Sequence, residues 1–269
     1  MFKVLKGVGG ERAFNGATIS ALALLVLFFV GIVVSLFTYT DWNTFMSALL
    51  SEEILFAIKL TVATATVATI VSILIAIPVA YAISQTEFPG KDIVDSMLDL
   101  PIVISPIALG ACLLVFFNTP VGAGVDDNIM KFVFAVPGII LAQITVISAL
   151  AIRLLKSTFD SIDPRYEQVG RTLGCSKPEA FLKVTLPLAK DGLIAAGILT
   201  WARAVGEFGA TVTLAGATAM KTETLPIAIF LSLASADVEK AIAVIFVLVI
   251  IAVVALIAIR KITGRRYPI

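Results

Sequence analysis

Two ionisable residues stand inside an otherwise apolar stretch of this chain: Arg203 and Glu207, four positions apart and on one face if the stretch is helical. A charge in such a setting pairs with another group or faces a wet cavity, which leaves two readings. The pair braces its own helix, or Arg203 offers positive potential to an anion on a translocation path while Glu207 keeps that anion from being held too tightly. Conventional catalysis is hard to build from the rest. The 269 residues contain no histidine, hence no ordinary general base, no pH switch and none of the commonest metal ligand. No GxxxxGK followed by Ser or Thr occurs, so nucleotide phosphates have no cradle of that kind. Of the two cysteines, Cys112 lies in an apolar run and Cys175 in a basic loop, and both read as inert thiols. Neither a catalytic centre nor a bound cofactor or metal is expected on this chain.

Polar residues concentrate a second time in residues 161–187, SIDPRYEQVGRTLGCSKPEAFLKVTLP. Local rules divide this stretch into two short helices. Asp163 can cap the first, and Pro164 fits its opening turn because an N–H there would be unpaired anyway. Gly174 supplies a left-handed stop. Ser176 with Glu179 makes a capping box for the second helix, and Pro187 marks where the next apolar run begins. On the first helix Tyr166, Val169, Gly170 and Leu173 share one face, ringed by Arg165, Glu167, Gln168 and Arg171. This is a small apolar knob set in charge, suited to a protein groove or, alternatively, to lying on lipid.

The elements that must position these residues are membrane spans. Hydrophobic residues make up 59% of the chain and charged ones 14%, and mean hydropathy is +1.04, so most of the surface must meet a solvent other than water. With a net charge of +1 no global field exists to hold nucleic acid. Charge-free runs at 13–40, 60–86, 100–125, 132–152 and 241–259, with the interrupted run 187–220, predict an all-α protein of six transmembrane helices. The first run is too long for a signal peptide and is expected to remain in the protein. Lys and Arg cluster on one side: Lys3, Lys6, Arg12, Lys91, Arg153, Lys156, the loop cations, Lys190, Arg260, Lys261, Arg265 and Arg266, against Lys59, Lys131, Lys221 and Lys240. By the positive-inside rule both termini are cytoplasmic. Connections at 41–53 and 118–131, the latter with a flexible PVGAG stretch, and a surface helix within 222–236 are expected on the outer side. Pro78, Pro101, Pro106 and Pro137 fall inside the runs, where each permits a kink. Thr61, Thr64, Thr66, Thr69 and Ser72 line the second run, as a polar path or, more simply, as small residues for close helix packing.

The 161–187 loop resembles the EAA motif of permease subunits of binding-protein-dependent ABC importers. Gln168, Val169 and Gly170 stand at the EAA positions, Gly174 at the glycine, Val184 at the isoleucine, and Leu186 with Pro187 close the motif. Glutamine thus replaces the family glutamate, and Glu167 stands one residue before it. RAVGEFGATVTLAG at 203–216, TLPIAI at 224–229 and LPIVISPIALG at 100–110 are similar to stretches of the molybdate and tungstate permeases, with sulfate permeases as near relatives. The resemblance implies the type I importer permease fold, with an N-terminal segment and peripheral helix over 1–52, a core over 53–261 and a cytoplasmic tail over 262–269. It implies docking of an ATPase on Pro164, Arg165, Tyr166, Glu167, Gln168, Val169, Gly170, Arg171, Leu173, Gly174, Leu186 and Pro187. It also implies a homodimer in a prokaryotic inner or plasma membrane, two ATPase subunits that carry the ATP and Mg, and an extracytoplasmic oxyanion-binding protein. A stand-alone channel or secondary transporter would differ in working without the ATPase.

Overall fold

The computed structural model describes the backbone of residues 8–36 and 42–263 and side chains over 14–36 and 45–261. Lys3, Lys6, Arg265 and Arg266, the end of the expected first span at 37–40, and the tail beyond 263 lie outside the described residues. The fold is all-α, with no strand among the described residues. Val8–Leu36 (α1) is exposed along nearly all of 14–36, with no residue of that stretch buried against the other described residues. Trp42–Leu49 (α2) is a helix where the sequence predicts only a connection. Glu52–Gln85 (α3), capped by the Ser51 hydroxyl, runs unbroken through Pro78.

The expected single span at 100–125 is not one helix. Lys91–Leu98 (α4) and Leu100–Val103 (α5) meet Pro106–Phe117 (α6) at 108°, and Pro120–Asn128 (α7) follows. The break has a local cause. Pro106 disfavours a helical conformation in the residue before it, and Ser105 is extended, with its hydroxyl accepting from the Ala108 amide at 3.3 Å. Pro101, Pro106 and Pro137 all stand in first turns, so they start helices rather than kink them. PVGAG is likewise helical, not a flexible loop: Thr119 caps α7, and a Cβ on Gly122 would fall 2.1 Å from the Phe116 carbonyl oxygen.

Val136–Asp160 (α8) extends eight residues past the expected end at 152, its last turns held by charged contacts. Arg165–Thr172 (α9) and Lys177–Ala180 (α10) form the loop helices. The second does not stop before the next span but continues through a π-helical turn, Phe181–Thr185, into Leu186–Leu188 (α11). Lys190–Val205 (α12) and Gly209–Ala215 (α13) replace the expected continuous run and meet at 57°. Leu225–Ala234 (α14) is a helix as expected, but its first half is buried and its exposed residues, Phe230 and Leu233 among them, lie in the second half. Its Leu225, Ile227 and Ala228 are buried, with Leu225 and Ala228 packed with Ile54 and Ala57 of α3 and with Ala243 and Val244 of Val238–Thr263 (α15), while the Thr61 hydroxyl accepts from the Leu225 amide at 2.8 Å. Among the described residues four helices, α1, α3, α8 and α15, are long and apolar enough to cross a bilayer, and counting each bent pair as one span brings the number to six.

The core is built on α3 against α8. Ala57, Ala65, Ala68, Ala76 and Ala80 lie fully buried along α3 together with Thr61, Thr64 and Ser72, and Thr69 is nearly so. These small and hydroxyl residues therefore serve close packing, with only Thr66 exposed, where it accepts from the Trp201 indole at 3.1 Å. Charged contacts gather at the two ends of the bundle. At one end Ser84 donates to Asp160 at 2.6 Å, and Arg153 pairs with Asp95 at 2.7 Å and with Asp99. At the other, Lys240 pairs with Glu53, and Lys131 with Asp126 at 2.7 Å. Hydrogen bonds from Lys131 and from the Val133 amide hold the Asp126 carboxyl down at about 2.

Helices α6 and α13 touch backbone to backbone. A Cβ on Gly110 would fall 2.8 Å from the Ala210 Cα, and one on Gly209 would fall 2.9 Å from the Ile107 nitrogen. Gly110→Ala is expected to destabilise the protein by about 1–3 kcal/mol, because neither helix axis can yield without repacking. Gly197→Ala in α12 meets nothing within 4 Å and is expected to be neutral or stabilising by up to about 1 kcal/mol. Denaturant midpoints of the two purified variants in detergent check the contrast, and equal midpoints would refute it.

Candidate functional site

The loop caps form where the sequence predicts them. The Asp163 carboxylate accepts from the Arg165 amide at 2.9 Å, opening α9. The helix closes in a Schellman motif: Cys175 donates to the Gly170 carbonyl and Gly174 to that of Arg171, both at 3.1 Å, with Gly174 at φ +97°. Ser176 and Glu179 form their capping box, and the Glu179 carboxylate accepts from the Ser176 amide at 2.9 Å and pairs with Lys183 at 3.1 Å. The Ser176 amide and hydroxyl, then Lys183, hold the Glu179 carboxyl down at about 2. Its folded value is lowered from about 4.5, so the stabilisation is fully present above that pH and is lost only as pH falls through about 2.

The knob differs from its expected composition. Tyr166, Val169 and Leu173 are exposed at 58%, 57% and 81%, large apolar groups left mostly uncovered by the described residues. Gly170 is not among them. It is buried at the edge of that face, where a Cβ would fall 3.2 Å from Val184, so the glycine lets α9 lie against the π turn. Arg165, Gln168 and Arg171 are exposed around the knob, but Glu167 turns inward. Its carboxylate accepts from the Tyr81 hydroxyl at 2.8 and 2.9 Å on its two oxygens and from Thr185 at 2.9 Å. Sequence reasoning missed both donors. The only available signal was a tyrosine one turn from the end of an apolar run, since a buried phenol hydroxyl usually finds a partner. Here its ring packs on Phe181 and Phe159, with centroids at 4.6 and 5.9 Å. A cleft of about 480 Å³ opens beside this contact, lined by Tyr81, Ser84, Asp160, Gln168 and Arg171 among others. Leu186 and Pro187 lie just past the π turn, whose last bond runs from the Leu186 amide to the Phe181 carbonyl.

Arg203 and Glu207 do come together, although not on one continuous helix. Arg203 lies in the last turn of α12 and Glu207 stands in the break before α13, and their Nη1 and Oε2 atoms are 2.7 Å apart. Glu207 is 1% exposed, and its other oxygen accepts from the Ala210 amide at 3.0 Å. The Arg203 side chain is 39% exposed. The carboxylate thus meets the positive end of α13 and the guanidinium the negative end of α12, which is the favourable sense for both helix dipoles. From α8 the buried Gln143 amide donates to the Ala204 carbonyl at 3.1 Å, joining the Glu207 amide, which donates to the same oxygen at 3.1 Å across the break. Gln143 was also missed, its signal being one amide within the run 132–152. Cys112 and Cys175 are free thiols, and among the described residues no group of three or more acidic or thiol side chains converges as a metal site would.

Residues 72–266 match the family described as binding-protein-dependent transport system inner membrane components. The chain is 33% identical over 251 residues to a probable molybdenum ABC transporter permease protein of Haloferax volcanii, covering 93% of this chain and 91% of that one. It is 27% identical over 266 residues to a sulfate transport system permease protein of Salmonella typhimurium, covering 96% of each. Among solved structures, a chain of a bacterial alginate ABC transporter in complex with an alginate pentasaccharide-bound periplasmic protein matches with a TM-score of 0.73 at 17% identity, over 97% of this chain and 96% of that one. At that identity the likeness is one of fold.

Proposed function

This chain belongs to the family of binding-protein-dependent transport system inner membrane components, and from that premise we propose that it carries a tetrahedral oxyanion, molybdate or its near-isostere tungstate, into the cell. It is a multi-pass membrane permease of an ABC importer, with the type I fold, and its family implies an ATPase and a substrate-binding protein as partners. The oxyanion reading is supported by the 203–216 and 224–229 stretches and by the similarity to the Haloferax molybdenum permease. Sulfate is the second reading, favoured by the similarity to the Salmonella sulfate permease across 96% of both chains.

Energy enters through the 161–187 loop. The observation that carries this part is the helix α9, capped at both ends, with Tyr166, Val169 and Leu173 exposed on it. Exposed apolar groups of this size on a rigid polar helix fit a protein groove, and an ATPase subunit on the cytoplasmic side supplies one. ATP and Mg bind there and not on this chain. Two copies of the permease face one another, ATP draws their α9 helices together, and the permease opens outward, with hydrolysis resetting it inward. Substrate biases this cycle only through its different affinity for the two states. Both termini then lie in the cytoplasm with the basic loop. Arg203, partly exposed beside a buried carboxylate, is the residue through which an anion on the path would feel positive potential.

Purification of the chain with its native partners, followed by reconstitution and competition uptake of labelled molybdate against tungstate and sulfate, tests the assignment. Molybdate and tungstate competing equally, with sulfate weaker by about tenfold or more, a difference of about 1.4 kcal/mol, is the expected result. Preference for sulfate would replace the first reading by the second, and uptake without an ATPase would overturn both.

A further inference from the structure

We propose that Glu167 is the strut through which the docking helix moves the membrane spans, acting on α3 through Tyr81 and on the start of the fifth span through Thr185. The inference rests on the reading of α9 as the ATPase contact. Glu167 lies on α9 among groups that face outward, yet its own carboxylate is turned away from them and half-buried. Three hydroxyl contacts reach it, two from Tyr81 on α3 and one from Thr185, which is 4% exposed on the π turn. No other side chain of α9 makes a hydrogen bond to a span among the described residues. A displacement of α9 is therefore passed through one charged acceptor to two elements far apart in the chain.

The ends of the strut differ in stiffness. Tyr81 is wedged between Phe159 of α8 and Phe181 at the start of the π turn, so that end moves with α3 and α8 and bears on the first residue of the turn. Thr185 closes a π turn, a rare helical form found mostly as single turns at functional sites. Gly170, bare against Val184, lets the same turn bear directly on α9. Pushing α9 inward thus loads the π turn and, through it, α12 and the break at 206–208. Pulling it outward draws on Tyr81 and α3. Glu167 is accordingly a positioning residue. It holds the docking helix to the spans rather than touching the transported ion.

The test uses the complete complex in proteoliposomes and reads ATP hydrolysed per ion imported, together with the amount of ATPase retained. Tyr81→Phe and Thr185→Val remove donors without changing shape, and Glu167→Gln keeps an acceptor oxygen while losing the charge. Loss of a hydrogen bond to a charged acceptor shifts an equilibrium by about tenfold or more, so Tyr81→Phe is expected to raise ATP per ion by about that factor. Thr185→Val is expected to raise it less, Glu167→Ala at least as much as Tyr81→Phe, and Glu167→Gln is expected to recover most of the wild-type ratio. Adding Tyr81→Phe to Glu167→Ala should change nothing further, because both break the same contact. A wild-type ratio in Tyr81→Phe and Thr185→Val complexes would overturn the strut, and so would loss of the ATPase from them, since Glu167 would then be serving attachment. If Glu167→Ala does not assemble, these two isosteric variants still decide. Absence of the ATPase from the wild-type complex would instead overturn the docking reading beneath the proposal.

Discussion

Replacing Arg203 by glutamine is expected to destabilise this protein by about 3 kcal/mol, the low end of the cost of breaking a buried ion pair. Glu207→Gln is expected to cost only about 1 kcal/mol, the worth of an ordinary hydrogen bond. The asymmetry follows from burial. Glu207 is 1% exposed, and without the guanidinium its charge keeps, among the described residues, the Ala210 amide as its partner. Arg203 is 39% exposed, so it can turn to a wetter environment when the carboxylate is gone, and this exposure also places the cost at the low end. The double variant Arg203→Gln, Glu207→Gln removes the orphaned charge and should recover much of the loss, giving a large coupling in a double-mutant cycle. Denaturant titration of the four purified proteins measures all of these terms, and equal costs for the two single variants would mean that the pair is screened. The same variants divide brace from pathway: retained oxyanion uptake by Arg203→Gln with normal apparent affinity would leave the pair as a brace across the α12–α13 break.

Gly174→Val should uncouple ATP turnover from uptake while the chain still inserts in the membrane. Gly174 has φ +97°, and a Cβ placed on it would meet nothing within 4 Å, so the penalty is conformational rather than steric contact. A residue with a Cβ pays roughly 1–2 kcal/mol in the left-handed region, and a β-branched one more. The cheaper course is to abandon the Schellman motif, which frees the Gly170 and Arg171 carbonyls and redirects the chain between α9 and α10. The knob would then lose its fixed aim relative to Glu167 and the π turn. ATP consumed per imported ion is expected to rise by about tenfold in Gly174→Val, corresponding to roughly 1.4 kcal/mol. Asparagine tolerates a left-handed conformation, so Gly174→Asn is expected to stay close to wild type. Normal coupling in the valine variant would count against the role of the loop.

How much could be read in advance depended on how far each determinant reaches along the chain. The bilayer as solvent follows from composition, because apolar runs without charges have no other stable surroundings. The turn of 161–187 was legible residue by residue, since Asp163 acts two positions away, Glu179 three, and Gly174 within its own motif. Those interactions close inside one helical turn and need no partner from elsewhere. What the tertiary structure decided is where helices stop inside the membrane and which polar groups they turn toward. The run 187–220 breaks at 206–208 where Gln143, 61 residues away, takes the Ala204 carbonyl and Glu207 takes the Ala210 amide. The 222–236 segment forms the expected helix, but its first half is buried because Thr61, 164 residues earlier, receives the Leu225 amide and Ala57 of α3 leaves room for it. Glu167 faces inward because its donors lie 86 and 18 residues away. A backbone or carboxylate group can leave water only where something else satisfies it, and periodicity along the chain carries no record of a partner that folding alone brings near.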